Sequence, residues 1–365
     1  MPDDAEAPGP PPAASESDNG LLDAVLGETE RPPLSPGSAI EEDLDAFLRR
    51  VVRPHVVGRT PDHSEQLAAL DRRTSRLMTA LMDSPAFQEL EALWRSVVFL
   101  LSQVEVSTSL RVYLIDVSVK ELMADILSTD EPTEWRFAHT VLNPVSENGE
   151  ELRWAALLGA FEFGGSPHHM PLLQRIGLLS ESGGVPWFAG AHPSLFGSRS
   201  VHDQPDQRDW NDPLDPLWVD LRQRPEADYL SLTFPGFLLR APYGPDGGKT
   251  RRFEFVQGSA SPEDSLWGNP CILWGVVLAR AFARSGWNLR IEGQETVSQL
   301  AMHPTPDGWG TPVEAVLSHS AAVRVREMGV NPVIAIRGEP EVRLTGFRSV
   351  SHSEKGLRSW WISPA

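Results

Sequence analysis

The residues that could do chemistry are few, and they do not converge. His168 and His169 are adjacent, so on a helix or a strand their side chains diverge, whereas a metal site needs ligands aimed at one point. They read as surface or loop histidines after Pro167. The single cysteine, Cys271, stands beside Ile272, Leu273 and Trp274. A reactive thiolate needs a polar, electropositive setting, so Cys271 is expected to serve packing. The glycine pairs Gly164–Gly165, Gly183–Gly184 and Gly247–Gly248 match neither the dinucleotide fingerprint nor the phosphate-binding loop, and they read as turns.

The 12 tryptophans and many carboxylates could suit a carbohydrate-active hydrolase, because sugars stack on aromatic rings and hydrolysis needs two carboxylates flanking the bond. No pair is singled out by its spacing. Trp94, Trp267 and Trp274 fall on expected inner helix faces, where large rings supply packing area in a core or an interface. The reading is therefore no enzyme, no catalytic residue, no metal site and no cofactor, with the hydrolase as the alternative of another class.

The elements that would position these residues begin after a long acidic lead. The net charge is −18, of which residues 1–45 hold −11. That balance disfavours a nucleic-acid partner, which needs clustered Lys and Arg. No run approaches a membrane span, and the acidic, Pro-rich start lacks the features of a signal peptide, so no membrane partner and a cytoplasmic location are expected. One cysteine allows no internal disulfide, as suits a reducing compartment.

Residues 1–40 read as a disordered tail carrying one short amphipathic helix at 20–28, where Leu21, Leu22, Val25 and Leu26 share a side. Residues 41–105 read as an N-terminal helical region. Leu44, Phe47, Leu48, Val51 and Val52 mark one helix, and Leu67, Leu70, Thr74, Leu77 and Leu81 a second. Ser84 and Pro85 open a third, with Phe87, Leu90, Trp94, Val97 and Leu101 on one stripe. Each is expected to turn its stripe inward.

From residue 106 to 365 the pattern becomes α/β, as one core or two subdomains. LRVYLIDV (110–117) reads as a strand, and Ser118 with Glu121 as a capping box opening a helix towards Leu127. Strand-like runs follow at 154–163, 185–191, 230–240, 287–292 and 331–337, with helices near 172–179, 266–285 and 320–328. The expected fold is a mixed sheet flanked by helices, α/β (α+β) in class.

The run SPAFQELEALWRSVV (84–98) resembles the segment that opens the core of the type VI secretion sheath large subunit. Phe87, Gln88, Leu90, Glu91, Trp94 and Arg95 stand at matching positions, and Ser96 replaces the usual glycine. LRVYLIDVSVKEL (110–122) resembles the strand and helix that follow in that family. LLGAFEFGGSP (157–167) resembles its GDYEFG turn, with Glu162, Phe163 and Gly164 in place and Ala160 for the usual aspartate. The likeness continues through VPWFAGAHPSLFG (185–197) and YLSLTFPGFLLRAPYGP (229–245), the latter carrying Pro235, Arg240, Pro242, Tyr243 and Gly244. It also takes in residues 265–291, with Trp267, Gly268 and Asn269, and covers most of residues 20–350.

The resemblance implies a phage-tail-sheath-like fold and a structural role. Such a subunit would pair with a small sheath subunit, stack with further copies of itself around an inner tube protein, and contract. GLLDAVLGETE (20–30) resembles the family helix gripped by a recycling AAA+ ATPase, with Leu21, Leu22, Asp23, Val25 and Leu26 matching. An amphipathic helix between linkers could also dock on its own protein, though partner binding is the preferred reading. The family continues past the region matching RLTGFRSVS (343–351), where this chain has only a few more residues. A short sheath subunit, a cap or baseplate-proximal paralogue that does not polymerise, and a chain completed by another polypeptide are the readings this leaves open.

Overall fold

The computed structural model describes residues 63–142, 152–204, 206–244, 255–257, 265–289, 291, 294–303, 310–352 and 356–362. The chain divides into two units, Met1–Gln66 and Leu67–Ala365, and nearly all described elements lie in the second. The expected helices at 20–28 and 44–52, and Gly247–Gly248, lie outside the described residues.

The central sheet is built from β1 (Leu157–Phe163), β2 (Trp187–Ala191), β3 (Leu230–Phe234), β6 (Gln294–Ser298), β7 (Val330–Ala335) and β8 (Glu341–Thr345). Their order is β1-β2-β3-β7-β8-β6. The first four run parallel, and β8 is antiparallel to both of its neighbours. The expected mixed sheet flanked by helices is what forms.

Successive strand residues feed opposite faces, and both faces are covered. Leu157, Phe163, Trp187, Ala189 and Leu232 enter one core with α3 (Val119–Ile126), α4 (Arg136–Leu142), α5 (His169–Gly183), α6 (Pro216–Leu221) and α8 (His319–Glu327). Phe188, Val333, Val342 and Leu344 enter a second core with α2 (Pro85–Gln103) and α7 (Cys271–Ser285). Burial on both sides explains why β2 reads as an unbroken apolar run, and in β3, where Ser231 and Thr233 are buried too, their hydroxyls accept from Asn331 and Trp274. Gly159 is required where the Trp187 indole crosses, since a Cβ there would lie 2.2 Å from the ring.

Several helix signals act as expected. Ser118 and Glu121 form the reciprocal capping box of α3. Gly184 closes α5 at φ 63, a left-handed conformation that glycine adopts without penalty. Cys271 is fully buried at the start of α7, and burial pushes its thiol far above the usual range, consistent with packing.

Other expectations are corrected. The run 230–240 is two strands, because the chain leaves β3 through the cis Phe234–Pro235 bond and Gly236 before β4 (Phe237–Arg240). The expected helix 266–285 starts as a strand, β5 (Leu266–Gly268), which pairs antiparallel with β4. Asn269–Pro270 disfavours helix immediately before the proline, so α7 starts only at Cys271. Trp267 therefore lies on β5, not on a helix. The described residues of the expected strand 287–292, namely 287–289 and 291, form no strand, and the next strand is β6 at Gln294–Ser298. His169 is not a loop residue: it opens α5, and its Nδ1 lies 2.8 Å from the Gly164 carbonyl oxygen.

Candidate assembly surface

Helix α2 is fastened to the body by its polar side. Pro85 occupies its first turn after Ser84, and Gln88 closes the entry by donating to the Met82 carbonyl at 2.9 Å. Farther along, Leu100 lies where a Cβ on Gly275 would come within 3.2 Å of it, so α2 crosses α7 at a glycine. The Phe99 ring meets Phe237 of β4 at 5.1 Å between centroids.

The strongest polar fastening joins Glu91 of α2 to Arg240 of β4. Arg240 Nε and Nη2 donate to the two Glu91 carboxylate oxygens at 2.7 and 2.9 Å, a bidentate fork. Its Nη1 donates to Gln257 Oε1 at 2.9 Å, and its guanidinium stacks over Tyr243 at 4.7 Å. Arg95 donates a third bond to Glu91 at 2.7 Å and reaches the Tyr243 hydroxyl at 3.4 Å. The Glu91 and Arg240 side chains are only 11% and 10% exposed. Burial alone would raise the Glu91 pKa, but the hydrogen bonds and charges of Arg240 and Arg95 outweigh it and hold the carboxylate below its usual range. The structure thus brings together Glu91, Arg95, Arg240 and Tyr243 from segments about 150 residues apart.

With its polar side fastened inward, α2 presents apolar side chains to solvent. Trp94 is 57% exposed and Val98 65%, and Leu90, Leu93 and Leu101 lie exposed on the same face. This reverses the expected inward stripe: Trp94 and Leu90 point out, Phe87 and Val97 are half-buried, and the inward positions are Ser96 and Leu100. The periodicity was real, but it cannot say whether the apolar face meets the chain's own core or another protein.

Helix α1 (Ser64–Met82) behaves in the same way. Leu67, Leu70, Leu77 and Leu81 are exposed, and Met82 is its only buried residue. An isolated helix of this length is marginal in water without tertiary packing, and its apolar stripe is where packing would come from. Single exposed leucines are ordinary, whereas a repeated exposed stripe marks an interaction surface.

Of the remaining motif residues, Phe163, Gly164 and Pro235 lie at the carboxyl ends of the parallel strands β1 and β3, and the others on or next to the β4–β5 pair. Phe163 is buried, and Gly164 has φ 118 where a Cβ would meet His192 and Ser194 at 2.9 Å. Ser194 accepts from the Gly165 amide at 2.9 Å. Asn269 donates to the Phe161 carbonyl at 2.8 Å and accepts from the Cys271 amide at 3.1 Å, tying α7 to β1. Gly268 has no room for a side chain against Phe237 and Leu239. Trp267 packs edge-on to His303, Pro235 follows the cis bond, and Pro242 and Gly244 flank Tyr243. Glu314, Gln257 and Phe237, which complete these contacts, carry no sequence signal that separates them from ordinary polar or core residues.

Glu162 stands at the same rim, open to solvent, with its pKa pushed up to about 7 by the surrounding protein and by the Glu314 carboxylate. Because this exceeds the ordinary 4.5, the folded chain holds the extra proton between those values. Stability should therefore fall as pH rises from about 5 through 7. Glu162→Gln should flatten that slope in melting temperatures measured across the range. The effect should be small, because the carboxylate keeps solvent contact.

Among the described residues no helix is long and apolar enough to cross a membrane. A family model described as VipB, the EvpB/VC_A0108 tail sheath N-terminal domain, matches residues 64–351. The chain is also 27% identical over 302 residues to the type VI secretion system sheath protein TssC1 of Pseudomonas aeruginosa. That alignment covers 78% of this chain and 60% of the relative, so the chain spans less than two thirds of that protein's length.

Proposed function

The chain belongs to the VipB tail sheath family, and from that premise we propose that it pairs with a small sheath subunit through the outward faces of α1 and α2. The paired unit would then assemble with further copies around an inner tube protein. The observation that carries this reading is the exposed Leu90, Leu93, Trp94, Val98 and Leu101 stripe on a helix whose opposite side is held by the buried Glu91–Arg240 fork. A rigidly held, desolvation-ready aromatic and aliphatic face is what a helix-in-groove or helix-pair interface requires.

The segment 20–28, with Leu21, Leu22, Asp23, Val25 and Leu26, is proposed as the contact for a recycling AAA+ ATPase. Its support is the sequence match and the apolar spacing alone.

The pairing is tested by co-expressing the full chain with a small sheath subunit of a type VI system and purifying through a tag on either one. A stable complex of fixed stoichiometry is expected. A well-behaved monomer that never retains the small subunit would overturn the reading.

A further inference from the structure

At the carboxyl ends of β1 and β2 one histidine is bonded in a way that only its neutral form allows. His192 follows β2 directly and precedes the short 3-10 turn Pro193–Phe196. Its Nδ1 accepts from the Ser194 amide at 3.1 Å and so caps that turn. A backbone N–H can only donate, so Nδ1 is the bare nitrogen of the ring and the single proton of the neutral imidazole sits on Nε2. The Ser194 hydroxyl lies 3.0 Å from the same Nδ1, and its oxygen accepts from the Gly165 amide at 2.9 Å. His192 therefore joins two turns, its own after β2 and Gly164–Gly165 after β1.

The two turns leave each other little slack. Gly165 lies against the face of the His192 ring, where a Cβ would come within 3.3 Å of Nδ1, and it holds φ 72. From the other side His169 of α5 donates from Nδ1 to the Gly164 carbonyl at 2.8 Å, a bond that its own protonation leaves intact. Leu195 and Phe196 of the capped turn are buried in the core, so the cap also sets the place of two core side chains.

We infer that His192 is a proton-operated latch: neutral, it holds both turns closed, and a proton on Nδ1 releases them. An N–H at Nδ1 would face the Ser194 N–H across 3.1 Å, two donors with no acceptor between them. The Ser194 backbone must then shift, and it carries its hydroxyl away from the Gly165 amide. The groups around the ring set where this happens. Burial and the neighbouring His169 oppose the proton, Glu314 favours it, and together they hold the His192 pKa below its usual 6.5. Around Glu314 stand His202, with Nε2 3.8 Å from the carboxylate, and Glu162 of β1. A folded pKa below the unfolded one means that the latch contributes stability above 6.5 and loses it as pH falls through the folded value. Glu162 acts in the opposite direction, because it takes up its extra proton as pH falls.

The latch is independent of the pairing proposed above, and the full free chain tests it. Amide hydrogen exchange, corrected for the intrinsic pH dependence of exchange, is followed in segments 160–168 and 192–199 of wild type, His192→Asn and His192→Leu. Between about pH 7.5 and about pH 5.5, protection of both segments in wild type should drop at least about fivefold. Asparagine offers the Ser194 amide a side-chain oxygen but does not titrate, so His192→Asn should keep its protection over the whole range. Leucine cannot cap, so His192→Leu should show at neutral pH the low protection of acidified wild type. Wild-type protection unchanged by acid would overturn the inference, and so would an equal acid loss in His192→Asn. A loss in 192–199 that leaves 160–168 untouched would overturn it as well, because Ser194 links the two turns. The wild-type measurement decides whether or not either variant folds.

Discussion

Arg240→Met should destabilise the free chain by about 3–5 kcal/mol, among the largest effects of any single substitution outside the apolar cores. The loss arises less from the missing attraction than from what stays behind. Glu91 is almost wholly enclosed between α2 and β4 and would keep its charge with only Arg95 to meet it. Replacing both partners removes that penalty, so Glu91→Met with Arg240→Met should recover most of the loss. Urea unfolding of the wild type, both single variants and the double variant checks this as a closed cycle. Because the Glu91 pKa is lowered on folding, its contribution is present above about pH 4.5 and is lost as pH falls through the lower folded value. The wild type should therefore lose its advantage over the double variant in acid.

Trp94→Asp combined with Val98→Asp should leave the free chain within about 0.5 kcal/mol of wild type, because both side chains already face water. The same pair of changes should abolish complex formation with the small sheath subunit. A well-placed tryptophan at the centre of an interface contributes about 2 kcal/mol or more, which is about thirtyfold in affinity, and a buried unpaired carboxylate adds to that loss. Unfolding curves on the free chain and co-purification of the pair measure the two effects separately. Loss of both together would mean that the α2 face supports the fold itself.

These opposite expectations for two faces of one helix show where the sequence was legible. The spacing of Leu90, Trp94, Val97 and Leu101 located α2 correctly, and Ser84–Pro85 marked its start. Inward was the natural expectation for such a stripe, because a soluble monomer normally buries its apolar face. Here the inward side is taken by Glu91, Arg95, Ser96, Phe99 and Leu100, and Arg240 turns a charged position into a contact. Nothing in local spacing reveals that a glutamate will meet an arginine about 150 residues later.

The strand expectation at 110–117 misfired for a related reason. Its β-prone residues describe a segment that fits a sheet, and a sheet requires a neighbour that the described residues do not supply. The helix expected over 266–285 failed locally instead: Asn269–Pro270 was a readable boundary, and the apolar residues Leu266 and Trp267 before it suit a strand as well as a helix. Sites set by one chain's own packing, such as the Ser118 capping box and buried Cys271, were read directly.

The outward face of α2, with Trp94 and Val98 exposed, is the proposed assembly surface. Electron microscopy of the co-expressed chain and small sheath subunit, carried to side-chain resolution, addresses it most directly. Rings or tubes with Trp94 and Val98 buried against another chain are predicted. An assembly in which Trp94 and Val98 remain in solvent would show that this face is not where the subunits meet.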